Sequence, residues 1–357
     1  MAALHVIDGF ARDDAGPGPG AGCPPSTAWT AWGADVQVAV TDPHALRAAR
    51  RLARRELAAA EKAAYRHRPD AEIHALYRAG GRAITVSPLL TELVAAALAT
   101  AERTGGDVDP TVAAAVTRLA ARGSTVDLRA VPTCAQFPRA AAVSGRGVTP
   151  RPPGEHRAAP RSSSGVAGWE TVRLAGRRLQ VPAGVTLDLT ATAKAFSCDR
   201  AATRIADRLG VGVSVAVGGY VATAGPAPAA GWLVPLDDVT LALPAGTAMA
   251  VAHAEGLVDP LTGEQVSSVW STVMTLGLSC LEAAGHAAAA VVRGPSARAW
   301  LTELGVPARM VTVHSDALTV AGWDRHARPI PASDRQNPSH RGVPAPRLAN
   351  PQRTNLR

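Results

Sequence analysis

The sequence predicts an α+β fold, and three observations carry that expectation. Val211, Val213, Val215 and Val217 alternate with small residues and run into Gly218-Gly219, the pattern of a buried strand. Val172-Arg-Leu174 and Leu179-Gln-Val181 flank Gly176 as a hairpin would. Helical stretches lie between such strands without the regular spacing of βαβ units.

The elements follow in chain order. Residues 1–27 are expected to be a disordered leader, because Met1 to Gly20 has no apolar run and carries Asp8, Asp13 and Asp14. Ala34 to Val40 alternates as a strand. From Ala45 to Tyr65, Leu46, Ala49, Ala53, Leu57 and Ala60 share one helical face, and Pro69-Asp70 ends that helix. Ile84-Thr-Val86 is a short strand. Ser87 then caps a helix with Pro88 in its first turn, where the missing N–H costs nothing. That helix stops at Gly105-Gly106. A second long helix is expected from Thr192 to Leu209, closed by Gly210. Later come a strand over Val269–Leu278, helices over Glu282–Val292 and Ser296–Leu304, and a closing pair, Met310–His314 with Leu318–Val320. One domain over 28–323 results, interrupted by a flexible Arg/Pro-rich insertion at about 124–165. A disordered basic tail over 324–357 follows.

The net positive charge is confined to those two segments. The chain of 357 residues carries a net +8. Its tail holds seven Arg against two Asp, and Cys134–Gly165 holds five Arg against Glu155. The rest is near neutral, so basic charge describes Pro-rich segments that cannot bury enough apolar surface to order themselves. Nucleic-acid binding is therefore not expected of the folded part. Cys23, Cys134, Cys198 and Cys280 match no paired zinc spacing. With no secretory pattern and no apolar window near the ~20 residues of a membrane span, a cytoplasmic location and no membrane partner are expected.

Polar clusters sit at element ends. Asp107-Val108-Asp109-Pro110-Thr111 follows a helix stop and suits either a tight turn with a cap or a ligand contact. Asp188 precedes the small-residue turn Thr190-Ala191-Thr192-Ala193-Lys194, whose exposed backbone N–H groups suit a pyrophosphate or simply start a helix. Lys194, one of only two lysines, adds a point charge there. Gly218-Gly219 permits a close ligand approach or a plain turn. Asp259-Pro-Leu-Thr-Gly263 is turn chemistry.

Order and spacing make these signals specific. Tyr65-Arg-His-Arg-Pro-Asp-Ala-Glu-Ile73, Val86-Ser-Pro88 and Thr104-Gly-Gly-Asp-Val-Asp-Pro-Thr-Val112 resemble the first half of the FAD:protein FMN transferases, the ApbE-like family. Val185-Thr-Leu-Asp-Leu-Thr-Ala-Thr-Ala-Lys-Ala195 with Asp199, Val217-Gly-Gly219 and Leu257-Val-Asp-Pro-Leu-Thr-Gly263 resemble its second half. The resemblance spans roughly Trp29 to Trp323. It implies a T-fold-like architecture with a flavin cleft between lobes. The activity implied is Mg²⁺-dependent transfer of FMN from FAD to a Thr hydroxyl of an acceptor flavoprotein, with AMP leaving. By the same likeness Trp32, His67, Asp107, Val108, Asp109, Asp188, Lys194 and Leu257, or its neighbour Val258, fall on cofactor positions. The metal positions fall on Ala191, Gly285 and Ala289.

The departures from the family pattern are equally specific. Its Met-Gly-Thr is Trp32-Gly-Ala34, its Gly-Gly-Asp is Gly218-Gly-Tyr220, and its His pair falls on Glu255-Gly256. His253, two residues earlier, is the candidate catalytic acid or base. The metal motif Ala-Asp…Thr falls on Ala284-Gly-His-Ala-Ala-Ala289, where carboxylate and hydroxyl are both gone. Glu282, three residues before Gly285, is the candidate replacement ligand. The alternative is a flavin-binding protein of this family that does not transfer.

Overall fold

The structure is a computed structural model, and it describes residues 24–121, 168–236 and 239–329. The expected insertion lies outside the described residues.

The chain opens with two strands, β1 (Ser26–Ala31) and β2 (Ala34–Val40), joined by Trp32-Gly33. Both turn residues have positive φ, +55° and +65°, as a two-residue hairpin turn of this hand requires. β1 begins inside the segment expected to be a leader. Its sequence, Ser-Thr-Ala-Trp-Thr-Ala, lacks a clean alternation, and pairing with β2 decides it.

The amphipathic run forms α1 (Leu46–Ala64) after a short turn capped by Asp42. Then come α2 (His74–Arg78), β3 (Ile84–Thr85) and α3 (Pro88–Arg103). The Ser87 cap is present: its hydroxyl accepts from Leu90 N at 3.1 Å. Next is α4 (Ala113–Ala121). The expected hairpin is β4 (Arg173–Ala175) and β5 (Arg178–Gln180). The second long helix, α5 (Thr190–Leu209), ends at Gly210 in the left-handed region. It starts two residues earlier than expected, and Leu187-Asp-Leu189 enters it as a turn without strand pairing.

The second half alternates β6 (Val213–Val217), β7 (Tyr220–Ala224), β8 (Trp232–Pro235), β9 (Val239–Leu243), β10 (Ala248–His253) and β11 (Trp270–Gly277). It closes with α6 (Cys280–Arg293), α7 (Ala297–Glu303), β12 (Ala308–Thr312), β13 (Ala317–Val320) and β14 (Ala327–Pro329). β14 lies inside the expected tail, paired with β9.

An eight-stranded antiparallel sheet, β1-β2-β6-β7-β10-β11-β12-β13, is the frame. Strand alternation splits its two faces. Val213, Val215 and Val217 join Ala49, Ala53 and Leu57 of α1, Ala201 and Ile205 of α5, and Ala283 of α6 in one core. Ala216, Val221, Met249 and Met274 face the small sheet β14-β9-β8 with Trp232, Leu241 and Trp323. A second lobe packs Ile73, Leu90, Leu93, Leu179, Leu187 and Leu189 around the other small sheet, β3-β5-β4. The expected mixed α+β class holds. Cys198 and Cys280 are buried, unpaired thiols.

Candidate functional site

A cleft with a cavity of about 200 Å³ opens where the two lobes meet the end of the large sheet. Four stretches of sequence converge on it: Arg66-His67 after α1, the turn 107–112, the start of α5 at 188–192, and the segment 251–260 after β10. α6 forms a further wall.

The 107–112 turn is built by its own acids. Asp109 is buried, and its Oδ1 accepts from the Thr111 backbone N at 2.8 Å and from the Thr111 hydroxyl at 2.7 Å. Its Oδ2 accepts from Trp169 N at 3.1 Å. The cap reading of this Asp-Pro-Thr turn is therefore correct, although the residue also lines the cleft. Asp107 pairs with Arg293 of α6, Oδ2 to Nε at 2.5 Å, and both side chains are buried. Arg293 also donates to Thr104 O at 3.0 Å and lies 4.0 Å over the Trp300 ring. One guanidinium thus fastens the end of α3, the Asp107 turn and α6 together. Val108 lines the cleft between the two acids.

Asp188 N donates to Pro110 O at 2.7 Å, which joins this turn to the start of α5. Asp188 Oδ1 accepts from Thr190 N at 2.9 Å and begins the helix. Ala191 stands beside it in the first helical turn, on the cleft. Lys194 is one turn further and buried. It lies behind the wall rather than among the cleft residues, in the field of Asp188 and Glu61. Burial lowers its pKa to about 8.

Three aromatic rings lead to the cleft from behind. Trp32 is buried, donates Nε1–H to Leu57 O at 3.1 Å, and stacks on Tyr65 with ring centroids 6.1 Å apart. Tyr65 meets His67 edge-on at 5.3 Å. His67 lines the cleft, but Trp32 does not. On the opposite side His253, at the end of β10, is half-buried and bonded through Nδ1 to Thr272 Oγ1 at 3.0 Å. Desolvation lowers its pKa to about 4, so it is neutral at pH 7. Leu257 and Val258 add apolar lining, and Asp259 folds its turn by accepting from Leu261 N at 2.8 Å. Tyr220, where the family pattern has an acid, also faces the cleft. Gly218-Gly219 makes the β6–β7 turn, with Val217 opposite Tyr220. It does not line the cavity.

Sequence reasoning missed Arg66. Among the described residues that line the cleft it is the only cationic side chain. An Arg inside the Arg-rich stretch Arg66–Arg68 gave no sign of facing inward.

The metal positions do not gather a ligand set. The α6 wall presents Leu281, Ala284, Gly285, Ala288 and Val292, spaced at helical i, i+3, i+4, i+7 and i+11. None carries an oxygen in its side chain. Ala289 is buried outside this lining. A Cβ on Gly285 would lie 2.9 Å from Thr100 Cγ2 of α3, so any side chain there would force Thr100 to shift. Glu282 does not replace the lost ligand: this residue lies outside the lining, near Asp199, whose pKa is raised to about 6 chiefly by burial and to a lesser degree by the Glu282 charge. Asp199 itself caps α6, accepting from Cys280 N at 2.7 Å and Leu281 N at 3.0 Å. Among the described residues no cluster of three His, Cys, Asp or Glu side chains could hold a metal. Mg²⁺ asks for near-octahedral oxygen donors, and the residues present do not fit it. Nor is any helix among the described residues long and apolar enough to cross a membrane.

Comparison with known proteins places this geometry. The model of the ApbE family matches residues 32–310. The fold is similar to the apo flavinyl transferase ApbE of Pseudomonas stutzeri, at TM-score 0.67 and 18% identity, covering 84% of this chain and 96% of that one. It is similar to the flavin transferase ApbE of Vibrio cholerae, at TM-score 0.63 and 16% identity, covering 84% and 98%. The ApbE protein of Thermotoga maritima gives TM-score 0.65 and 19% identity over 85% and 99%. No curated protein matches the sequence. At such identities the solved structures establish the fold alone, whereas the family model covers most of the chain. The chain belongs to the ApbE family.

Proposed function

We propose that this protein binds FAD in the cleft between its lobes and holds it without the Mg²⁺-dependent transfer implied by the family resemblance. The observation that carries the second half is the α6 wall, which offers no side-chain oxygen and where a Cβ at Gly285 would press on Thr100. The first half is supported by family membership and by the make-up of the cleft. Leu257, Val258, Val251 and the α6 residues form an apolar slot suited to a flavin ring. His67 and Tyr220 stand at its sides. The first turn of α5, at Thr190–Thr192, presents backbone N–H groups and the positive end of a 20-residue helix. Bound FAD would supply a pyrophosphate for that end and a redox-active ring for the apolar slot.

A second reading is favoured by the family itself and by one residue. In it the protein transfers FMN from FAD to a Thr hydroxyl of an acceptor flavoprotein. A phosphoester bond forms, the pyrophosphate bond breaks, and AMP leaves. His253, neutral and on the cleft, is a suitable acceptor for the hydroxyl proton.

Equilibrium dialysis against FAD tests the reading. Retention of one FAD per chain is expected, and a Leu257→Asp variant should weaken it at least about tenfold by placing a charge in the apolar slot. No retained FAD at all would remove the proposal.

A further inference from the structure

We propose that Arg66 is the phosphate anchor of this cleft, holding the pyrophosphate of a nucleotide directly and with no divalent cation. The inference rests on the FAD-binding reading for the identity of the nucleotide. It rests on the residue's own geometry for the site.

Arg66 sits in the turn after α1, and its side chain is only 14% exposed. Nη1 donates to Thr117 Oγ1 of α4 at 3.0 Å, which fixes the guanidinium from one side. Nε lies 3.7 Å from Asp188 Oδ2, too far for a hydrogen bond. Among the described residues, buried Nε and Nη2 have no hydrogen-bond acceptor. A buried cationic donor left unsatisfied costs more than an ordinary unmade bond, so such a group signals a partner other than the described residues. Asp188 Oδ1 is engaged by Thr190 N, while Oδ2 faces the guanidinium at ion-pair distance without hydrogen-bonding it.

Arg66 lines the same cavity as the first turn of α5. There the N–H groups of Ala191 and Thr192 precede any carbonyl that could accept them within the helix. An Arg side chain and a helix N-terminus bordering one cavity suit a tetrahedral oxyanion, since the flat fork of Arg bridges two of its oxygens. Mg²⁺ would ordinarily neutralise a bound pyrophosphate, and here the described residues gather no ligand set for it. Arg66 provides a fixed positive charge at the same cleft instead.

The test compares the full chain with Arg66→Gln and Arg66→Lys. Binding of FAD and of riboflavin, which lacks phosphate, is followed by flavin fluorescence with EDTA or with Mg²⁺. The wild type should bind FAD equally in both media. Arg66→Gln should lose about tenfold or more for FAD, as a lost charged hydrogen bond implies, with riboflavin changed less than twofold. Arg66→Lys should recover part of the loss. Thr117→Val, which frees the guanidinium without removing it, should weaken FAD in the same direction and by less, and this keeps the test decisive if Arg66→Gln fails to fold. Equal FAD binding by the wild type and a folded Arg66→Gln would overturn the anchor while leaving the flavin reading intact. So would FAD binding by the wild type that depends on Mg²⁺. If the wild type binds no FAD, the flavin reading falls and titration with inorganic pyrophosphate decides the anchor. Binding that Arg66→Gln abolishes supports it, and no binding ends it.

Discussion

Gly285 of α6 and Thr100 of α3 touch where the family's metal acid would stand: the missing Cβ would lie 2.9 Å from Thr100 Cγ2. Thr100 is itself fixed, because its hydroxyl donates to Ala96 O at 2.9 Å and the side chain is buried. The loss of the metal motif is thus built into the packing of two helices. It is not a single vacant position that one substitution could refill.

Gly285→Asp should therefore destabilise the fold by about 1–3 kcal/mol, the range for overpacking a close contact. Pairing it with Thr100→Ala, which removes the clashing methyl, should return most of that stability. Thermal unfolding of the two variants checks this. Millimolar Mg²⁺ should not raise the Tm of the wild type, since a ligand stabilises only what it binds.

The Asp107–Arg293 pair makes a second prediction. Asp107→Ala or Arg293→Ala alone leaves a buried charge uncompensated and should cost about 3–5 kcal/mol. Removing both should cost less than the sum of the two single changes, as expected for groups in direct contact. Urea unfolding of the single and double variants measures the coupling. Because the pair fastens the Asp107 turn to α6, FAD binding should weaken along with stability.

His253 gives the pH dependence. Its pKa falls to about 4 in the folded chain, against 6.5 for the ordinary group. The unfolded chain therefore binds a proton before the folded chain does. The stability it contributes is complete above pH 6.5 and lost as pH falls toward 4, on the order of 3 kcal/mol at most. His253→Gln should flatten that part of the profile. In the wild type, the His253 ring resonances should not titrate between pH 5 and 8, which NMR can follow directly.

Much of the frame was legible because local signals agree with it. The α1 face from Leu46 to Ala60, the Ser87-Pro88 start and the Gly210 stop each specify a local conformation. The strands β7 to β10 were not legible. Their residues are largely Ala, Val and Leu in short runs without a clean alternation, and partners across the sheet decide their conformation. β14 is the plainest case: Ala327–Pro329 has no strand signature, and pairing with β9 orders it. The site divides the same way. Family spacing located His67, Asp107, Val108, Asp109, Asp188, Ala191, Leu257 and Gly285, and all line one cleft, as does His253, chosen two residues before the family's His positions. Trp32, Lys194 and Ala289 came from the same spacing but lie behind its walls, because a linear pattern does not say which way a side chain points. Arg66 points inward from an Arg-rich turn, and only the fold reveals it.

The most direct test of the account is AMP release. The protein is incubated with FAD, Mg²⁺ and an acceptor protein carrying a Thr in the family's usual acceptor setting, and both AMP and covalent flavin are measured by mass spectrometry. The account predicts FAD retained intact, no AMP above background and no flavin on the acceptor. AMP released in step with covalent flavin, and abolished by EDTA, would contradict it and establish that the cleft assembles a metal site from other ligands.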